Sequence, residues 1–116
     1  MLKKIFFGLS VTAVIFLATA SDSFGQTRVR FARGSNSATM RGTITANGGA
    51  RHYVLRAAAG QTLTATLSSG NNKVDFTQGA VHDTQFTRTV DSNGDVYVDI
   101  DNHGKRTNYT LTISIQ

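Results

Sequence analysis

The chain has 116 residues, 12 Lys and Arg against 7 acids, and a formal net charge of +5; it contains no Cys and no Pro, and every acid is Asp. Without cysteine there is no thiol nucleophile, no thiolate metal site, no disulfide and no lipidated anchor, so the core must hold by itself. The basic excess is too small and dispersed for a nucleic-acid groove, and no array of alternating aromatic and basic residues is present.

Met1-Leu2-Lys3-Lys4 is a short basic start, residues 5–20 are mostly apolar, and a polar, small-residue stretch follows. That order of parts is a secretory signal peptide. The apolar run is about 16 residues, short of the ~20 that a spanning helix needs, and Ser10, Thr12 and Thr19 dilute it further. No stable membrane span is expected. Cleavage after Ala20 or after Gly25 would fit, and the second resembles Gram-negative sites that leave an amino-terminal Gln. The expected division is a signal peptide at 1–25 and one domain at 26–116. Removing 25 of 116 residues leaves 91 and takes away Lys3, Lys4 and Asp22, so the formal charge falls from +5 to +4. The expected location is the periplasm or the outside of the cell.

Residues 28–33 read as the first strand, with Val29 and Phe31 inward, and Gly34-Ser35-Asn36-Ser37 is turn composition. The second strand spans 38–45, with Met40, Gly42 and Ile44 on one face. Asn47-Gly48-Gly49 is a turn signal. At 51–57, Tyr53, Leu55 and Ala57 share one face, and His52, Val54 and Arg56 the other. After Ala59-Gly60-Gln61, residues 62–68 alternate strictly, with Leu63, Ala65 and Leu67 inward and threonines outward. The 51–67 stretch is therefore a β-hairpin or a sheet-to-sheet corner at the centre of the molecule. Val74 and Phe76 mark a short fifth strand, and 78–83 a loop. The sixth strand is 84–90, with Phe86 and Val90 inward. The seventh is 95–101, with Val96, Val98 and Ile100 inward. The eighth is 107–115, with Tyr109, Leu111, Ile113 and Ile115 inward.

Eight short strands with polar turns and no helical periodicity predict an all-β, small antiparallel jelly-roll-like sandwich. Antiparallel strands with one wet face account for the abundant Thr. With no Pro to break edge pairing, Arg and Lys on the outer faces are expected to protect the edges.

Chemistry is sparse. His52, His82 and His103 are far apart in sequence and none has a second ligand at metal spacing, so no metal is expected. Asp91-Ser92-Asn93-Gly94-Asp95 opens like a calcium loop, but the sixth position is Val96 and the twelfth Asn102 where Gly and Glu are required. Asp95, Asp99 and Asp101 share a strand face with Tyr97, which predicts a solvated face near cations of a neighbouring strand. No nucleophile motif or phosphate-cradling glycine loop is present, so neither catalysis nor a cofactor is expected. The basic loop Asn102-His103-Gly104-Lys105-Arg106, between two strong strands, is the best candidate for recognition.

Four stretches in order carry a resemblance: Arg30-Phe31-Ala32-Arg33-Gly34 with Ser37-Ala38-Thr39 and Gly42; Tyr53 to Leu63 with its Ala-Gly-Gln-Thr-Leu; Gly94-Asp95-Val96-Tyr97-Val98; and Asn108-Tyr109-Thr110-Leu111-Thr112-Ile113. Together they resemble the bacterial pre-peptidase C-terminal type β-sandwich domains, closest to the periplasmic inhibitors of goose-type lysozyme. The resemblance implies a non-enzymatic binding protein that inserts a basic loop into the active-site cleft of a lysozyme. It makes Lys105 and Arg106 the inserted residues, with Tyr53 and His103 flanking them. The alternative is a generic secreted module of this type that binds polysaccharide or an envelope protein through a sandwich face.

Overall fold

The computed structural model describes residues 22–23, 26–78 and 83–116. Apart from the backbone of 22–23, the predicted leader lies outside the described residues, as does His82. The strands are β1 (Asp22–Ser23), β2 (Gln26–Arg28), β3 (Ser37–Ile44), β4 (Ala50–Ala57), β5 (Thr62–Ser69), β6 (Val74–Phe76), β7 (Gln85–Thr89), β8 (Gly94–Asn102) and β9 (Thr107–Ile115). They form two sheets, one ordered β1-β2-β4-β8-β6 and the other β3-β9-β5-β7.

From β2 onward the strands alternate between the sheets, so no two consecutive strands pair. The 51–67 stretch is accordingly a corner rather than a hairpin. Gly60 turns it at φ +88°, a conformation that costs other residues strain. The Asn47-Gly48 turn likewise carries the chain from one sheet to the other, with φ of 54° and 95°.

Two details depart from the expected antiparallel layout. The sequence reading places the first strand at 28–33; the observed β2 spans Gln26–Arg28 and ends where that reading begins it, because the chain leaves the sheet there to cross to β3. Before leaving, β2 runs parallel to β4, with Thr27 opposite Tyr53. Val29 still donates its amide to the Val54 carbonyl at 2.8 Å, and its side chain enters the core.

The inward faces meet in one core that contains Met40, Ile44, Tyr53, Leu55, Leu63, Leu67, Phe76, Val98, Ile100, Tyr109, Leu111 and Ile113, with Phe31, Ala38 and Phe86 packed at its margin. Phe76 and Phe86 meet edge to face at 4.8 Å. A polar contact crosses the core between the hydroxyls of Tyr53 on β4 and Tyr109 on β9, 2.5 Å apart. Gly42 makes room for it, since a Cβ there would lie 2.9 Å from the Tyr109 hydroxyl.

The outer strand β3 leaves the outward backbone groups of Ser37, Thr39, Arg41 and Thr43 unpaired by β9, because Asn36 and its alternate neighbours face that strand. Its ends are closed by side chains. Ser35 Oγ bonds both the carbonyl and the amide of Ser37, and Arg51 donates to the Thr43 carbonyl at 2.8 Å. This arginine does what edge protection requires.

Candidate functional site

The loop singled out in the sequence leaves β8 at Asn102 and enters β9 at Thr107, so its tip is only four residues long. Asn102 is fully buried and explains the tip's shape. Its Nδ2 donates to the carbonyls of Thr45 at 2.9 Å and Lys105 at 2.8 Å. Its Oδ1 accepts from the Gly104 amide at 3.0 Å and from Asn71 Nδ2 at 3.2 Å. Every polar position of the amide is thereby used, as burial demands.

Asn71 completes the arrangement from the turn after β5. Its Nδ2 also donates to the Lys105 carbonyl at 2.7 Å, and its Oδ1 accepts from the Lys73 amide at 2.8 Å. The backbone repeats the pattern: His103 donates to the Lys73 carbonyl, Asn47 to that of Gly104, and Gly48 to that of Asn102. Three turns, at 45–49, 70–73 and 103–106, are thus bound into one surface at one end of the sandwich. Gly104 has no room for a side chain, because a Cβ would lie 2.9 Å from the Lys73 stem and 3.0 Å from Asn71.

On this surface Lys105 and Arg106 are exposed, and among the described residues no carboxylate pairs with either. The exposed Lys73 joins them. Sequence reading missed Lys73 and Asn71, which lie about thirty residues upstream, because proximity across the fold leaves no local signal. His103 is half exposed, with Nε2 2.9 Å from Oδ1 of Asp75, a buried carboxylate on β6. A shallow groove lined by Asn72, Lys73, Asp75, Thr84 and His103 adjoins the tip. Tyr53, expected to flank the loop, lies inside the sandwich at 5% exposure with its hydroxyl on Tyr109, so it offers no surface for contact.

The outer face of the five-stranded sheet carries the remaining candidates. Arg28 grips Asp95 with two bonds of 3.1 Å. That pairing raises the Arg28 pKa and lowers that of Asp95, in both cases chiefly through the side-chain hydrogen bond. His52 Nδ1 lies 2.9 Å from Asp99, which Gln78 also contacts. Two carboxylates of the predicted acidic face, Asp95 and Asp99, are therefore paired across strands. Between them stands Tyr97, the one exposed large hydrophobic side chain among the described residues. Also among these residues, no three His, Asp or Glu side chains gather to hold a metal. The 91–93 turn serves the fold: Asn93 Oδ1 accepts from the Ala59 amide at 2.8 Å.

No protein-family model and no curated protein matches the chain by sequence. Solved structures do. The chain is similar to the crystal structure of Aeromonas hydrophila PliG, a periplasmic lysozyme inhibitor of g-type lysozyme, with 27% identity and a TM-score of 0.65 over 78% of this chain and 96% of that one. Salmonella Typhimurium PliG shares the fold at 19% identity and a TM-score of 0.64, over 81% of this chain and 100% of that chain. A mutant of the Escherichia coli protein does so at 19% and 0.60, over 78% and 97%.

Proposed function

We propose that this chain is an exported, non-enzymatic inhibitor of goose-type lysozyme that acts by placing the 103–106 turn in the enzyme's cleft. The observation that carries the reading is the exposed Lys105-Arg106 pair on a tightly held turn. The fold that presents it resembles a periplasmic inhibitor of that enzyme class over nearly the whole of the inhibitor's length. Inserted cations would meet acidic groups of the cleft through charge-assisted hydrogen bonds, which strengthen as water is excluded. A mature charge of +4 would speed encounter with an acidic cleft. His103 would sit at the margin of the contact.

Export follows from the amino-terminal leader, with cleavage before Gln26 and a periplasmic location. That cut removes β1 and keeps β2, so Arg28 retains Asp95. Mass spectrometry of the exported protein tests it.

The test of function is inhibition of a goose-type lysozyme on peptidoglycan by residues 26–116. Inhibition at micromolar concentration or below is the expected result. Its absence against several such lysozymes would overturn the reading. The module alternative draws on Tyr97, an exposed ring among hydrogen-bonding side chains that could stack on a sugar. Under that reading Tyr97→Ala abolishes polysaccharide binding, whereas the inhibitor reading leaves Tyr97→Ala as active as the parent chain.

A further inference from the structure

We infer that Asn71 and Asn102 are positioning residues which latch the basic tip into its binding shape before any partner arrives. The inference rests on reading the 103–106 turn as the inhibitory element, and it adds how that element attains affinity. A flexible tip carrying a lysine and an arginine would lose backbone and side-chain freedom on insertion, and that loss subtracts directly from binding. Here the loss is met during folding. The Lys105 carbonyl receives two amide donors, at 2.7 Å from Asn71 and 2.8 Å from Asn102, and the Gly104 amide is fixed on Asn102 Oδ1. Asn102 is fully buried, out of a partner's reach, and Asn71, which keeps some exposure, spends its side-chain amide on the Lys105 carbonyl and the Lys73 amide. The latch also sets which cations act together, because Asn71 holds the Lys73 amide at 2.8 Å and so keeps a third cation beside the tip.

The working variant is Asn71→Ala, which removes one donor from the Lys105 carbonyl together with the Asn71 bonds to the Lys73 amide and Asn102 Oδ1, and leaves Asn102 itself in place. Its comparison is Asn93→Ala, which removes a side-chain bond of similar length at the opposite end of β8. Asn71→Ala is expected to weaken inhibition of a goose-type lysozyme about tenfold, mainly through a faster dissociation rate, while Asn93→Ala changes it less than twofold. Amide hydrogen exchange in the free protein supplies a readout that needs no enzyme: the Gly104 amide should lose protection in Asn71→Ala while the β9 amides keep theirs. Equal inhibition by Asn71→Ala and the parent, or unchanged Gly104 protection, overturns the latch. Equal weakening by both variants overturns it too, since that would be general destabilisation. If the parent chain fails to inhibit, the functional reading falls, and the exchange experiment still decides whether the latch exists.

Discussion

At one end of the sandwich the turns 45–49, 70–73 and 103–106 meet around Asn71 and Asn102. At the other, Gln61 holds the Ala58 amide with its side chain and shares two backbone bonds with its neighbours, while Asn93 holds Ala59. Both ends are therefore tied by amide side chains that stand in for missing ladder bonds. They differ in charge. The first end presents Lys73, Lys105 and Arg106 with no carboxylate paired to them among the described residues, whereas near the second Asp95 engages Arg28 and attracts Arg56. A tied turn is thus ordinary maintenance of the fold. A tied turn bearing unpaired cations is, on the proposed function, the surface that would meet an acidic partner.

The contrast can be broken in several ways. Replacing both Lys105 and Arg106 by Ala should reduce lysozyme inhibition about a hundredfold or more, by the cost of losing charged contacts in a desolvated cleft, with an unchanged melting temperature; inhibition and thermal unfolding measured together check this. Asn102→Ala strips a buried hub of four bonds and should cost about 3 kcal/mol of stability. Asn93→Ala, with one bond, should cost about 1 kcal/mol. Urea denaturation of the two variants compares the ends directly, and equal costs would erase the difference between them. Tyr53→Phe removes the hydroxyl contact with Tyr109 and should cost about 1 kcal/mol while leaving inhibition intact; a drop in inhibition without loss of stability would return Tyr53 to the binding surface.

The smallest effect concerns the second end. Pairing holds the Asp95 pKa below its ordinary value, so its contribution to stability is complete above about pH 4 and fades as acid protonates the folded carboxylate. Arg28 is raised from an already high value, so its contribution is lost only in strong alkali. Urea midpoints between pH 7 and pH 2.5 should fall slightly more for the parent than for Asp95→Asn. An equal fall would mean that the ion pair adds nothing.

Much of this was written in the alternation of side chains. Leu63, Ala65 and Leu67, or Val96, Val98 and Ile100, could be assigned inward from spacing alone, and all are buried. Val54 was assigned outward and is 5% exposed. Its neighbours in register are Tyr97 on β8 and Arg28 on β2, and a parallel partner that reaches it across the intervening β3 leaves no periodic trace. The basic tip was legible because charge and turn composition are local. The latch was not, because an asparagine in a turn looks the same whether it faces water or holds a carbonyl thirty residues away.

The strict alternation of strands between sheets also dictates how the chain must fold. No ladder from β2 onward can form by zipping up a tight hairpin; even β5 and β7, joined by Thr66 opposite Gln85, must first close a loop through the other sheet. Chains dominated by such distant pairings refold in milliseconds to seconds rather than microseconds. With no proline anywhere in the sequence, no isomerisation step should add a slower phase. Stopped-flow refolding should therefore show a single slow exponential, the behaviour of a chain that reaches its native sandwich without waiting on an isomerase.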